Sequence, residues 1–214
     1  MQRIGILGGT FNPIHYGHLR IAQETAEAFA LSQVKFLPAA KPPLKTEPKV
    51  TAKQRAEMVQ LAITTNPLFS LDTRELERNG PSYTIDTLES LRAEHPRDAL
   101  CLIIGTDAFT HFDQWYRWQY ILDYCHLIVV SRPPVAYLDL SETLRKLLQM
   151  HQTHDATQLS QHTHGLIAMH AVTALDISSS QIRSLVHAHQ NPAYLCPDVV
   201  ISYIQAHQLY TDNL

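Results

Sequence analysis

The chain has 214 residues, 45% of them hydrophobic and 17% charged, with a formal net charge of −3. This length supports one substantial core with at most a small appended part, and the composition excludes an intrinsically disordered chain. The charge gives no global basis for binding nucleic acid or an acidic membrane, while leaving room for a local cationic pocket.

Residues 1–7 carry one basic residue before a glycine-rich turn, too short and interrupted a start for a signal peptide. No apolar run reaches the roughly 18 residues of a membrane span, so a cytoplasmic location is expected. Cys101, Cys125 and Cys196 are widely spaced and odd in number, which predicts buried, inert thiols in a reducing compartment.

Residues 3–7 form a short apolar run cut off by Gly8-Gly9, the pattern of a buried strand. Over 17–31, Leu19, Ala22, Ala26 and Phe29 mark one face of a helix. Residues 34–37 predict a second strand, stopped by Pro38. Thr51 is placed to cap a helix through Gln54, Met58, Leu61 and Ala62. Residues 69–71 form a third apolar segment, and Ile85, Leu88 and Leu91 line one side of a helix over 83–92. Residues 100–104 predict a strand ended by Gly105, and 127–131 another ended by Arg132-Pro133-Pro134. Residues 151–164 are rich in His, Gln and Thr without apolar periodicity, and predict a surface excursion. One apolar stretch at 166–169 and helical patterns at 179–187 and 198–207 complete the chain.

Strands alternating with helices, several of them apolar on both faces, predict a doubly wound, Rossmann-like α/β fold with helices on both faces of a parallel sheet. We expect a single domain over 1–214, with a small helical C-terminal part from about 177. In such sheets the site lies beyond the carboxyl ends of the strands. The loops gathered there would be 8–18, 38–49, 105–118 and 131–134.

The first of these loops, G-G-T-F-N-P-I-H-Y-G-H, is neither of the common phosphate fingerprints, lacking both G-K-[ST] and a recurring G-x-G-x-x-G. It remains a strand, a glycine turn and a helix start, where backbone N–H groups can approach an anion. His15 and His18, three apart, admit three readings: a structural pair, a metal pair or a pair of phosphate donors. The later histidines His151, His154, His162, His164, His170, His187 and His189 raise a rival reading as a metal-binding protein, but they lack regular ligand spacing.

Residues 8–18 resemble the H-x-G-H signature of the nucleotidyltransferase superfamily, and Ile177-Ser178-Ser179-Ser180-Gln181-Ile182-Arg183 resembles its second signature, I-S-S-S/T-x-x-R. Three further stretches are similar to those of nicotinate-nucleotide adenylyltransferases: P-A-A-K-P-P-L-K at 38–45, P-S-Y-T-I-D-T-L at 81–88 and G-T-D-A-F-T-H-F-D-Q-W-Y at 105–116. The resemblance covers the chain except for 151–164. It departs at Asn12, where that family commonly has Asp, and at Leu44, where it has a basic or polar residue.

The resemblance implies adenylyl transfer from ATP to nicotinate mononucleotide, giving deamido-NAD and pyrophosphate in NAD biosynthesis. The nucleophile would be a phosphate oxygen already ionised near neutral pH, so no general base is needed, and positioning with charge stabilisation would carry the reaction. It implies His15, His18 and Arg183 as catalytic residues: His18 at the α-phosphate, His15 at the ATP phosphates and Arg183 at the γ-phosphate. Gly8, Gly9, Thr10, Phe11, Lys45, Asp107, Ile177, Ser179 and Ser180 would complete the ATP site. Thr10, Tyr83, Thr84, Trp115 and Tyr116 would hold nicotinate mononucleotide, with Trp115 stacked on its ring. Mg²⁺ would accompany ATP, bound by phosphates and water, with no residue assigned as a protein ligand. Neither nucleic acid nor a membrane is an expected partner, and homo-oligomer formation is left open.

Overall fold

The computed structural model describes residues 1–42, 48–131 and 139–211. The sheet begins in sequence with β1 (Arg3–Gly9), where Ile4 to Leu7 are all buried and two glycines bring the strand to the surface. β2 (Gln33–Pro38) and β4 (Ala99–Gly105) flank it in parallel. β3 (Phe69–Leu71) extends one side, and β5 (His126–Ser131), β7 (Ile167–Ala171) and β6 (Gln152–Thr153) extend the other. Among the described residues this gives a seven-stranded, all-parallel sheet in the order β3-β2-β1-β4-β5-β7-β6. The order reverses direction at β1, so the crevice between the ends of β1 and β4 is the topological switch point.

Alternation along each strand divides the core. In β4, Cys101 and Ile103 face one apolar layer, while Leu100, Leu102 and Ile104 face the other. The first layer is covered by α1 (Tyr16–Ala28), α2 (Ala52–Ile63), α6 (Ser179–His187) and α7 (Asp198–Ala206). The second is covered by α3 (Thr84–Glu94), α5 (Glu142–His151) and the segment after β4. That segment holds the short α4 (Thr106–Phe109) and two 3₁₀ turns, Phe112–Gln114 and Trp118–Asp123. Helices on both faces of a parallel sheet are the expected doubly wound architecture.

Local signals account for most boundaries. Thr51 caps α2 as predicted: its hydroxyl accepts the Gln54 N–H, and Gln54 Oε1 accepts the Thr51 N–H. The helix expected over 83–92 starts one residue later, with Tyr83 at the N-cap. All three cysteines are buried and unbridged, and burial pushes the thiol of Cys101 up to about 12 and that of Cys196 to about 11. The strand stop at Arg132-Pro133-Pro134 lies outside the described residues.

The His-rich stretch corrects the expectation of a plain surface excursion. It contains β6 and a 3₁₀ turn, Ala156–Ser160, that buries Leu159 completely. Two polar groups tie it down, one half-buried and one buried. The Arg92 guanidinium donates to the carbonyls of Tyr124, His95, Asp98 and Thr163. The wholly buried His126 meets the His162 carbonyl through Nε2 at 2.9 Å and accepts the Leu166 N–H through Nδ1 at 3.1 Å.

Candidate active site

Beyond β1 the chain is held from behind, carbonyl by carbonyl. The Gly9 carbonyl accepts the Ala39 N–H at 2.9 Å, and the Thr10 carbonyl accepts Arg55 Nη1 at 2.7 Å. The Asn12 carbonyl accepts Arg183 Nη1 at 2.9 Å, and the Pro13 carbonyl accepts the Ser179 hydroxyl at 2.8 Å. In a planar trans peptide the carbonyl and the next N–H point in opposite directions. Anchoring the Gly9 and Thr10 carbonyls therefore turns the N–H groups of Thr10 and Phe11 the other way, as an anion-binding concavity requires. Phe11 makes the turn with a φ of 47° and buries its ring edge-on to His18, 5.0 Å between centroids.

His15 is the N-cap of α1 and His18 its third residue, in the reciprocal arrangement of a capping box. The two rings lie 3.8 Å apart at 33°. His18 Nδ1 accepts the His15 backbone N–H at 3.3 Å. A neutral imidazole that accepts at Nδ1 carries its proton on Nε2, which makes Nε2 the donor. Gly17 between them is buried, and a Cβ there would lie 2.9 Å from His15 Nδ1. Only glycine leaves the His15 ring this position.

α6 brings the second signature to the same place. Ser178 caps it by accepting the Gln181 N–H at 3.1 Å, and Ser179 is engaged with Pro13 as described. Arg183 also reaches Ser180 Oγ at 3.4 Å, and the Ile177 carbonyl lies against Gly17. Two helix N-termini, those of α1 and α6, thus adjoin one loop, and their partial positive charges favour an anion there. Gly8, Gly9, Thr10, Phe11, His15, His18, Ile177, Ser179, Ser180 and Arg183 come together at this junction.

A second group forms across the sheet's switch point. The Tyr83 ring packs on Tyr116 at 4.5 Å between centroids, Thr84 opens α3, and half-buried Trp115 lies against Phe112. Asp107 stands just beyond β4, exposed, with its carboxylate folded back over Gly105. Gly105, not Asp107, occupies the N-cap of α4. Gly9 and Gly105 both lie three residues beyond the Ile6–Leu102 pair, so Asp107 borders the same crevice as the first loop. The two groups are joined through 39–41: Ser82 Oγ accepts the Ala40 and Lys41 N–H groups at 3.0 and 3.3 Å. Lys45 and Leu44 lie outside the described residues.

Four further contributors had no role assigned from sequence. Arg55 is buried to 1% exposure, with its guanidinium on the carbonyls of Thr10, Ala40 and Val50. Asn12, which had no role of its own, accepts the Tyr210 hydroxyl at 2.7 Å through Oδ1. Glu75, whose pKa is pushed up by burial, accepts the Thr87 hydroxyl at 2.8 Å beneath the start of α3. The position of Arg55 on the apolar side of a capped helix, next to Ala56, was the one signal for it. Tyr210 carried none, and Asn12 stood out only as a departure from the Asp common in the resembling family. Among the described residues, no group of three or more His, Cys, Asp or Glu side chains converges as a metal site. No helix among them is long and apolar enough to cross a membrane.

The cytidylyltransferase-like family matches residues 6–185. A probable nicotinate-nucleotide adenylyltransferase of Acidithiobacillus ferrooxidans is 47% identical over 205 residues, covering 96% of this chain and 94% of its own. One from Pseudomonas aeruginosa is 45% identical over 210 residues, covering 98% and 97%. Among solved structures, the nicotinic acid mononucleotide adenylyltransferase of Plasmodium falciparum, complexed with NaAD, superposes with a TM-score of 0.73 at 18% identity, over 100% of this chain and 99% of that one. That last likeness is one of fold. With relatives this similar along nearly all of both chains, and with the two signatures meeting at one loop, the chain belongs to the nicotinate-nucleotide adenylyltransferases of the cytidylyltransferase-like family.

Proposed function

We infer that this chain transfers the adenylyl group of ATP to nicotinate mononucleotide. A phosphate oxygen of the mononucleotide attacks the α-phosphorus of ATP. A new P–O bond forms, the bond from the α-phosphorus to the bridging oxygen breaks, and pyrophosphate leaves with deamido-NAD as product. ATP enters as its Mg²⁺ chelate, with the ion carried by phosphates and water. Its charge offsets part of the repulsion between the two anionic substrates.

The observation that carries this reading is the loop between two helix N-termini, its carbonyls tied back and an Nε2 donor on His18 beside it. The Thr10 and Phe11 N–H groups and His18 Nε2 meet charge that develops on the α-phosphate, where preorganised donors contribute most. His15 positions the ATP phosphates. The first turn of α6, with Ser179 and Ser180, takes the β- and γ-phosphates, and Arg183 offers its planar fork to the γ-phosphate. Across the crevice, Tyr83, Thr84, Trp115 and Tyr116 take the nicotinate end, and Asp107 takes hydroxyls of ribose. The buried, unbridged thiols suit a cytoplasmic enzyme.

Pyrophosphate release at matched MgATP, with nicotinate mononucleotide or its amide as second substrate, tests the assignment. Clear preference for the acid supports it, and equal or greater use of the amide overturns the stated substrate. In the same assay His18→Ala should lower turnover by about two orders of magnitude or more, the loss usual for a transition-state donor. Near-normal turnover would remove His18 from the chemistry.

A further inference from the structure

We propose that Tyr210 is a positioning residue for adenylyl transfer, fixing Asn12 and through it the guanidinium of Arg183. The Tyr210 hydroxyl donates to Asn12 Oδ1 at 2.7 Å, and the Asn12 carbonyl accepts from Arg183 Nη1 at 2.9 Å. One residue of the first loop is therefore held by the C-terminal tail through its side chain and by α6 through its main chain. Arg183 uses Ser180 Oγ as its second partner, 3.4 Å away, so the Asn12 carbonyl is the shorter of the two restraints.

The tail reaches this place by a defined path. After α7 the Leu209 N–H returns to the Ile204 carbonyl at 2.9 Å, and Leu209 is buried. Gln208 and Tyr210 both adopt left-handed backbone, with φ of 49° and 64°, so the chain reverses on itself. His187 Nδ1 then meets the Thr211 carbonyl at 3.2 Å. Residues four apart on a helix share a face, so the tail lies along the side of α6 that carries both Arg183 and His187. Burial pushes the Tyr210 phenol up, against the opposing pull of the Arg183 and Arg55 guanidinium groups. The phenol stays protonated and acts as a donor.

A long arginine side chain has many rotamers, and its value at a phosphate depends on a planar fork held in one orientation. Small misplacements of a positioning group are costly to transfer chemistry. Without the Tyr210 bond, the Asn12 side chain and peptide lose the restraint that holds the Asn12 carbonyl toward Arg183. The effect falls on ATP rather than on the mononucleotide, because Asn12 touches the α6 side of the site and the nicotinate group lies across the crevice.

This proposal rests on the reading of Arg183 as a γ-phosphate ligand, and Arg183→Ala is measured in parallel for that reason. Tyr210→Phe removes one oxygen and keeps the ring. It should raise the KM for ATP about fivefold, the loss typical of one hydrogen bond, with the KM for nicotinate mononucleotide and the melting temperature close to those of the parent. Asn12→Ala breaks the same connection from the other end. The double variant should be no worse for ATP than the more affected single variant, because the two act through one bond. If Arg183→Ala leaves the ATP KM unchanged, the reading of Arg183 fails, and the proposal with it. If Arg183→Ala raises that KM and Tyr210→Phe does not, the proposal alone fails. Equal changes in both KM values alongside a fall in melting temperature, or a Tyr210→Phe chain that does not fold, overturn it as well. The hydroxyl would then serve the fold rather than Arg183.

Discussion

At the scale of single residues, the spacing H-x-G-H has a steric meaning. The glycine between the histidines is not there for backbone freedom, since Gly17 sits in the first turn of a regular helix. It is there because the His15 ring occupies the volume of its missing side chain, with Nδ1 2.9 Å and Cε1 3.0 Å from where a Cβ would be. Alanine is the better helix former by about 0.5–1 kcal/mol, so propensity alone would favour Gly17→Ala. The clash decides otherwise for function: the His15 ring must swing away, and its stacking on His18 is lost. We expect Gly17→Ala to fold with near-parental stability and to lose at least about tenfold in kcat/KM for ATP, which amounts to about 1.4 kcal/mol of transition-state binding. Thermal melting beside steady-state kinetics checks both halves. Unchanged kinetics would show that the ring position is not needed.

At the scale of elements, legibility followed the physics of each segment. β1, β2, β4 and β5 were readable because strands buried on both faces leave near-continuous apolar runs. α2 was readable because Thr51 and Gln54 form a capping box. α5 was not assigned, since Leu144 is its one buried residue and its other leucines sit at a partly exposed rim. β6 is two residues long and takes its identity from pairing with β7, a non-local fact. The site showed the same division. Residues of the two signatures were legible by resemblance, whereas their supports were not, because a carbonyl acceptor leaves no trace in the sequence. Arg55 is the clearest case, a charged residue buried on the apolar side of its helix with backbone carbonyls as its partners. It joins three elements: the loop after β1 through Thr10, the loop after β2 through Ala40, and the entry to α2 through Val50. Arg55→Met would leave those carbonyls without their charged donor, at a cost of about 1–3 kcal/mol for each that stays buried. We expect a loss of about 3 kcal/mol or more in urea denaturation, with raised KM values for both substrates, because the 39–41 segment touches both halves of the site. Parental stability would show that these carbonyls find other donors.

At the scale of the whole molecule, the edge of the sheet away from β1 carries an acid-sensitive fastening. His126 begins β5, is fully buried, and bridges to the His-rich stretch through the His162 carbonyl and the Leu166 N–H. Burial, reinforced by the nearby charges of His164, His162 and Arg92, lowers its pKa from 6.5 to about 4. The imidazole in the unfolded chain therefore takes up its proton first as the pH falls. The unfolded state binds more protons than the folded state between about pH 6.5 and 4, so stability decreases on acidification across that window and is fully retained above it. At 1.36 kcal/mol per unit, a fall from 6.5 to about 4 amounts to a contribution on the order of 3 kcal/mol, lost progressively toward pH 4. Carboxylates with lowered values, such as Asp72 beside Arg74, lose their contribution at lower pH, and Glu75, raised by burial, works in the opposite sense. The difference between the parent and His126→Gln isolates the imidazole from both. Urea midpoints for the two chains at pH 7, 6, 5 and 4.5 should converge as the pH falls, because the glutamine variant has no proton to take up at this position. Parallel curves would mean that His126 does not couple folding to pH. Because His126 begins β5, two strands from β1 and away from the first loop, the same acidification should loosen 151–166 before it disturbs His15 and His18. Amide exchange at pH 5 would show that order as protection lost first at Leu166 and its neighbours.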